Sequence, residues 1–209
     1  MTLHCETFTG GPFETNAYLV ADTDTGEALA IDAPQNTARI IKAAADAKGW
    51  RIGQIVLTHS HWDHIADAVA MRDLCEAPIA GPVGAEAALA APGTFFGGLD
   101  FAIPPVVPDR SIGDGDTIAL GGHRLAVLHL PGHEPFHIAL YDPAAGVIFS
   151  GDVVFPGGAG RTDLPGADPA AMHRSLRRLL ELPAETTVYP GHGAPTTIAA
   201  EADWMRALP

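Results

Sequence analysis

The sequence predicts an α+β fold in which two β-sheets pack together, with helices on the outside. Two observations favour this class. The chain has 209 residues, of which 47% are hydrophobic and 18% charged, so it can bury a sizeable core. The order of its predicted strands and helices roughly repeats in two halves, which is typical of layered sheets with outer helices. We therefore predict a single domain over residues 1–209.

The first half is predicted to be a β-hairpin followed by alternating helices and strands. A turn at 24–26 separates two short apolar runs, which is a hairpin pattern. Asn36 can cap the helix that follows, and Gly49 can end it. The predicted strands are Ala17–Val20, Ala28–Ile31 and Ile55–Leu57, and the predicted helices are Asn36–Lys48, Ile65–Cys75 and Val83–Ala90.

The second half begins after a Gly- and Pro-rich stretch at Pro92–Pro108 that carries Phe95 and Phe96. A long loop of this kind is either a lid over a binding site or a surface crossing. Asp168 and Thr197 are expected to cap the last two helices. The predicted strands are Thr117–Leu120, Arg124–Leu130, Ile138–Tyr141, Val147–Ser150 and Thr187–Tyr189, and the predicted helices are Asp168–Leu182 and Ile198–Leu208.

Charge and cysteine content exclude several classes of protein. The chain has 25 acidic and 12 basic side chains and a net charge of −13, which argues against nucleic acid as a partner because phosphate binding needs clustered Lys and Arg. Two cysteines without C-x-x-C spacing do not form a disulfide scaffold. We find neither a signal peptide pattern nor a run of ~20 apolar residues. We therefore expect a cytoplasmic protein that acts on a small molecule, without a membrane partner, as a monomer or homodimer.

The strongest chemical signal is the segment Thr58-His59-Ser60-His61-Trp62-Asp63-His64, directly after a buried strand. In extended backbone His59 and His61 point to the same side, so both can bind one metal ion. Asp63 and His64 fall where the next helix begins and can face a second ion. Imidazole and carboxylate together suit zinc, iron or manganese.

Three further segments each place one metal-ligand residue in a glycine-containing turn at the end of a predicted strand. They contain His133 in Pro131-Gly132-His133, Asp152 in Ser150-Gly151-Asp152, and His192 in Pro190-Gly191-His192-Gly193. Loops at one edge of a sheet are where ligands from distant parts of a sequence converge. Seven ligands are too many for one zinc ion and suit two.

The H-x-H-x-D-H motif and the later Gly-His, Gly-Asp and Gly-His pairs, in this order, resemble the metallo-β-lactamase superfamily. The resemblance covers nearly the whole chain. Within the superfamily, Ser150–Phe155, Gly160–Gly166 and Pro190–Thr197 are similar to the glyoxalase II-like branch, and short bacterial hydroxyacylglutathione hydrolase-like members are the nearest match. The resemblance implies the αββα sandwich, with metals between two sheets at one edge.

The resemblance also implies a role for each ligand residue. His59, His61 and His133 would bind the first metal, Asp63, His64 and His192 would bind the second, and Asp152 would bridge the two. The expected cofactor is two divalent ions, with zinc preferred and iron or manganese as alternatives. Asp152 separates this chain from true β-lactamases, which generally lack that carboxylate.

The chain departs from the branch at several positions. Ala66-Asp67 stands where small glycine residues are usual, and Glu134 and Phe136 replace a Thr and a Gly after His133. His137 matches a histidine that these enzymes keep near the substrate. Full glyoxalase II proteins carry a C-terminal helical substrate domain, and we expect this chain to lack both that domain and its usual mode of glutathione recognition.

Such a site implies a metal-dependent hydrolase. Two ions about 3.5–4 Å apart lower the pKa of a shared water toward about 7, and the bridging hydroxide then attacks a carbonyl carbon. Asp63 and Asp152 are the expected catalytic carboxylates, with Asp63 orienting the hydroxide. A thioester such as an acyl-glutathione is the leading substrate, because a thiolate leaves without a strong acid.

Two other reactions stay open at this point. One is lactone opening by the same hydroxide. The other is persulfide dioxygenation at a single iron bound through His59, His133 and Asp152, which is a two-histidine, one-carboxylate set. A flavin-linked oxygen-reducing role would need a flavin domain, and a non-catalytic metal module would need only four ligands.

A last group of residues is assigned roles around the metals. Asp32, after the strand Ala28–Ile31, and Asp163 are candidates to orient metal ligands through hydrogen bonds. Arg161 is a candidate substrate-binding residue and can also pair with Asp163. His137, Phe95 and Phe96 complete the candidate substrate-binding set.

Overall fold

A computed structural model describes residues 2–93, 99 and 101–208. Phe95 and Phe96, and with them part of the predicted lid or crossing, lie outside the described residues. The chain divides into two compact units, one formed by Met1–Ile112 with Leu120–His123 and the other by Gly113–Ala119 with Arg124–Pro209. Each unit contains one six-stranded sheet.

The first unit is a mixed sheet with four helices. Its strands lie in the order β1 to β6, antiparallel from β1 to β3 and parallel from β3 to β6. Its core contains Leu19, Ile55 and Leu57 from the sheet and Ile41 from a helix. The elements are β1 Leu3–Gly10, β2 Thr15–Asp22, β3 Glu27–Ile31, α1 Ala38–Ala47, β4 Arg51–Val56, α2 Trp62–Ile65, α3 Ala68–Cys75, β5 Ile79–Pro82, α4 Glu86–Ala90 and β6 Arg110–Ile112.

The predicted hairpin is confirmed, but two helices begin or break differently from the prediction. The N-cap residue of α1 is Thr37, and Asn36 precedes it with a positive φ of 69°, so Asn36 neither begins nor caps this helix. The Asp67 carboxylate instead accepts from the Ala38 N–H at 3.1 Å. Asp67 also divides the predicted helix at 65–75, because its N–H donates to Ala33 O at 2.8 Å. The departure at Ala66-Asp67 thus has a structural role.

The predicted helix at 83–90 is shorter than expected. The Val83 N–H donates to Ile112 O at 2.9 Å, which extends the sheet, and the helix begins at Glu86. Strands β1, β5 and β6 were not predicted from the sequence, because they are polar or very short.

The second unit is built around a sheet with the order β14-β13-β10-β9-β8-β7, in which β10 and β13 are parallel. Every strand and helix predicted for this half is present, and the predicted caps are confirmed, since Asp168 accepts from Ala170 N and Thr197 from Ala200 N. The elements are β7 Thr117–Leu120, β8 His123–His129, β9 Ile138–Asp142, β10 Val147–Gly151, β11 Val154–Phe155, β12 Gly158–Ala159, α5 Pro169–Leu179, β13 Thr187–Pro190, β14 Thr196–Thr197 and α6 Ile198–Ala207.

Within the described ranges, the helices are all too short or too polar to cross a lipid bilayer.

Glu201 ties the last helix to the small hairpin β11–β12. Its side chain is buried and accepts hydrogen bonds from Thr196 Oγ1 at 2.6 Å, Trp204 Nε1 at 2.6 Å and Gly157 N at 2.7 Å. Burial opposes the charge of Glu201, but these hydrogen bonds outweigh it and lower the pKa of the carboxyl. The folded state therefore favours the ionised form.

We expect Glu201→Gln to reduce the free energy of unfolding by about 1–3 kcal/mol at neutral pH, because an amide cannot accept all three hydrogen bonds. The pKa is lower in the folded state, so this contribution is complete above the unfolded value of about 4.3 and is lost as the pH falls through the folded value. Urea unfolding at about pH 7 and about pH 3.5 measures both effects.

The matched control is Glu185→Gln, the same chemical change at an exposed residue of the same unit. Its unfolding free energy should stay close to that of the wild type at both pH values. A Glu201→Gln deficit that is equally large at acidic pH would contradict a role for the ionised carboxylate.

Candidate metal centre

In the first unit, four ligand-type residues lie at the carboxyl end of β4. His59 and His61 follow the strand, and Asp63 and His64 lie on α2. All four are at most 8% exposed. Their rings and carboxylate converge: the His59 ring centroid lies 4.8 Å from that of His61 and 4.2 Å from that of His64, and Asp63 Oδ2 lies 3.6 Å from His64 Nε2.

Asp32 orients this loop from the end of the neighbouring parallel strand β3. Its Oδ1 accepts from Thr58 N at 2.8 Å, and its Oδ2 accepts from Thr58 Oγ1 at 2.8 Å. The same Oδ2 lies 2.7 Å from His64 Nδ1. A carboxylate at Nδ1 holds the proton there and leaves Nε2 as the metal-binding nitrogen. The structure thus places Asp32 where it can orient His64.

Thr15 is a site residue that the sequence did not reveal. It is fully buried at the start of β2, and its hydroxyl donates to Asp63 Oδ2 at 2.8 Å across 48 residues of sequence. A lone threonine at a strand end has no distinguishing pattern, so only the folded sheet could identify it. Its hydrogen bond fixes one oxygen of Asp63.

In the second unit, three ligand-type residues meet at one edge of the sheet. His133 follows β8, Asp152 follows β10 and His192 follows β13, and these three strands run in the same direction. Asp152 Oδ2 lies 3.4 Å from His133 Nε2 and 3.4 Å from His192 Nε2. One carboxylate oxygen is thus shared by two imidazoles.

Close backbone contacts hold these three loops together. The Gly191 N–H donates to Gly151 O at 2.8 Å, which links the loops of His192 and Asp152. His133 Nδ1 lies 2.8 Å from Arg161 O. A side chain on Gly160 would collide with Asp152 O and come within 3.1 Å of His133 Cγ. Glycine is therefore required at position 160.

The remaining candidates lie in different surroundings. The Arg161 and Asp163 side chains are exposed and form a two-point ion pair, with both N···O distances 2.8 Å, and the Arg161 guanidinium lowers the pKa of the Asp163 carboxyl. Arg161 reaches His133 through its backbone oxygen. His137 is 0% exposed, and its Nε2 accepts a hydrogen bond from Asp152 N at 3.0 Å.

The donor set fits divalent metal ions. His64 Nδ1 faces a carboxylate and His133 Nδ1 faces a backbone carbonyl, which is the arrangement that surrounds metal-binding histidines. In both residues Nε2 lies toward a carboxylate oxygen, of Asp63 or Asp152. Imidazole and carboxylate ligands without thiolates suit zinc, iron or manganese.

The comparisons define the class of protein. Residues 10–192 match the model of the metallo-β-lactamase superfamily, and the chain belongs to this superfamily. The resemblance and the fold class predicted from the sequence are thereby confirmed.

Relatives in sequence include the hydroxyacylglutathione hydrolase of Cereibacter sphaeroides, which is 36% identical over 84% of this chain and 61% of its own length. That of Rhizobium etli is 37% identical over 83% of this chain and 60% of its own. The chain therefore spans about three fifths of these relatives. An uncharacterized protein of Aquifex aeolicus is 36% identical over 91% of this chain and 90% of its own.

Solved structures show the same fold. The structure of BLEG-1 B3 metallo-β-lactamase has a TM-score of 0.86 at 30% identity and covers 96% of this chain and 97% of its own. The structure of TTHA1623 in a di-iron-bound form has a TM-score of 0.77 at 39% identity and covers 95% and 97%. That of ETHE1 from Myxococcus xanthus has a TM-score of 0.80 at 26% identity and covers 96% and 82%.

We expect Gly160→Ala to lower the amount of metal that co-purifies with the protein, because the added methyl group would displace the backbone of Asp152 and crowd His133. Outer residues that orient metal ligands typically change metal affinity by about 10–100-fold. Elemental analysis after dialysis against a weak chelator measures the loss.

Gly158→Ala is the matched control, since a methyl group there meets open space and the residue lies only two positions before Gly160, in β12. It should retain wild-type metal content. Equal metal content in the two variants would contradict the packing role assigned to Gly160.

Proposed function

We propose that the protein is a metal-dependent hydrolase that holds two divalent ions and cleaves a small thioester. The first ion would be held by His59, His61 and His133. The second would be held by Asp63, His64 and His192, and Asp152 would be shared by both. The observation that carries the proposal is the position of Asp152 Oδ2, 3.4 Å from both His133 Nε2 and His192 Nε2, because these histidines are assigned to different ions.

A bound pair of ions supplies a hydroxide nucleophile near neutral pH and polarises the carbonyl that it attacks. The side chains provide the orientation. Thr15 fixes one oxygen of Asp63 through the hydroxyl hydrogen bond, which holds the carboxylate in a defined orientation. Asp32 fixes the ring of His64.

The thioester assignment is supported by the hydroxyacylglutathione hydrolases among the relatives. A thiolate is a good leaving group and needs little protonation, which suits a site built from metal ligands. The net charge of −13 favours a small molecule over a nucleic acid. The match covers only about three fifths of those relatives, so we propose the broader class of small thioesters and not one particular substrate. Acyl-glutathione is the first compound to test.

Zinc is the metal that we propose first, because imidazole nitrogen and carboxylate oxygen are common zinc ligands. The di-iron-bound form of TTHA1623, which is 39% identical, makes iron the first alternative. Manganese is the second.

We expect wild-type protein purified without chelator to contain about two metal ions per chain and to hydrolyse thioesters such as lactoylglutathione. His61→Ala should remove most of that activity and about one ion, because it deletes a ligand of the first site. The measurements are elemental analysis and thiol release.

His173→Ala, on helix α5, is the matched control and should keep both metal and activity, since this histidine lies outside the ligand set. Unchanged hydrolysis in His61→Ala would overturn the first metal site. About one iron per chain, with oxygen uptake on glutathione persulfide, would replace the hydrolase by a mono-iron dioxygenase. Turnover of a lactone or a β-lactam instead of thioesters would keep the hydrolase and overturn the substrate.

A further inference from the structure

We infer that His137 is a positioning residue that holds the bridging carboxylate and the His133 loop at a fixed spacing for the metal ions. The inference rests on the metal-binding part of the proposed function. The resemblance assigned His137 to the substrate, but its side chain is 0% exposed.

The ring of His137 is hydrogen-bonded to the backbone of Asp152. Asp152 N–H donates to His137 Nε2 at 3.0 Å. Because Nε2 accepts this hydrogen bond, the imidazole is neutral and carries its proton on Nδ1. The bond fixes the peptide plane that precedes the Asp152 Cα, and so fixes the direction in which the carboxylate leaves the backbone.

The backbone of His137 closes the loop that carries His133. Leu130 N–H donates to His137 O at 2.8 Å, and His137 N–H donates to Glu134 O at 3.4 Å. The Glu134 carboxylate accepts from Phe136 N at 2.8 Å within the same loop. These bonds form a compact turn between β8 and β9 with His133 inside it.

One buried residue thus joins two ligand-bearing loops. His133 is four positions before His137 in the chain, and Asp152 is fifteen positions after it. In this arrangement His133 Nε2 lies 3.4 Å from Asp152 Oδ2. Hydrogen bonds of this kind typically account for about 10–100-fold in metal affinity.

The test compares His137→Gln with His137→Leu in the substrate-free protein. A glutamine amide oxygen has about the reach of Nε2 and can accept the Asp152 N–H, whereas leucine cannot. Competition for zinc against a chromophoric chelator should show an affinity about 10–100-fold weaker in His137→Leu. His137→Gln should stay within a few-fold of the wild type.

The controls are His173→Leu and His173→Gln. His173 lies on helix α5, outside the ligand set and outside the loops that carry His133 and Asp152. Both controls should bind zinc like the wild type. Circular dichroism and urea unfolding identify any variant that has not folded, and His137→Gln then provides the folded comparison.

Two outcomes would overturn the inference. One is wild-type zinc affinity in a folded His137→Leu, and a raised KM in that variant would then mark a substrate contact. The other is an equal loss of affinity in the two His137 variants. Because zinc binding is measured without substrate, a protein that binds two ions but cleaves no thioester would contradict the proposed reaction and leave the role of His137 intact.

Discussion

The constraint on which the site depends is the burial of several imidazoles and carboxylates away from water. Removing such groups from solvent is costly unless each polar atom is hydrogen-bonded or bound to a metal ion. His59 and His64 are fully buried, and Asp152 is nearly so. The structure offsets this cost by placing a hydrogen-bonding oxygen beside the ring nitrogen that faces away from the metal site. An example is Asp32 Oδ2, which lies 2.7 Å from His64 Nδ1. The nitrogen that remains is then directed toward the metal ligands.

This arrangement requires the strand ends to be rigid and close together. In the first unit, Asp32 and Thr58 follow adjacent parallel strands, so a carboxylate from one strand can bind the backbone that follows the next. In the second unit, the Gly191 N–H donates a hydrogen bond to Gly151 O. Gly160 lies too close to Asp152 for any side chain. The glycines near the ligands therefore serve close packing as much as conformational freedom.

Carboxylates farther from the ligands also accept hydrogen bonds that hold neighbouring elements together. Asp67, which departs from the usual residue of the branch, caps helix α1 and separates α2 from α3. Glu201 holds the hairpin in which Phe155 lies 6.0 Å from the His192 ring, measured between ring centroids. Buried or partly buried carboxylates thus appear both as ligand candidates and as structural acceptors, and only their partners distinguish the two uses.

The sequence by itself determined the α+β class, the regular strands of both halves and the residues with ligand chemistry. Alternating apolar runs and caps are local signals, and a motif such as His59 to His64 has its spacing written in the chain. Prediction from the sequence failed where the local signal was weak or misleading. Asn36 was predicted to start a helix, and a short strand such as β5 has too few residues to produce a pattern.

Only the tertiary structure decided which distant residues support the ligands. The hydroxyl of Thr15 reaches Asp63 because two segments of one unit pack together, and no local pattern marks that pairing. The same is true of His137, whose ring accepts a hydrogen bond from the Asp152 backbone N–H. The physical reason is that ligand identity is a property of a side chain, whereas ligand orientation depends on hydrogen bonds between groups that the fold brings together.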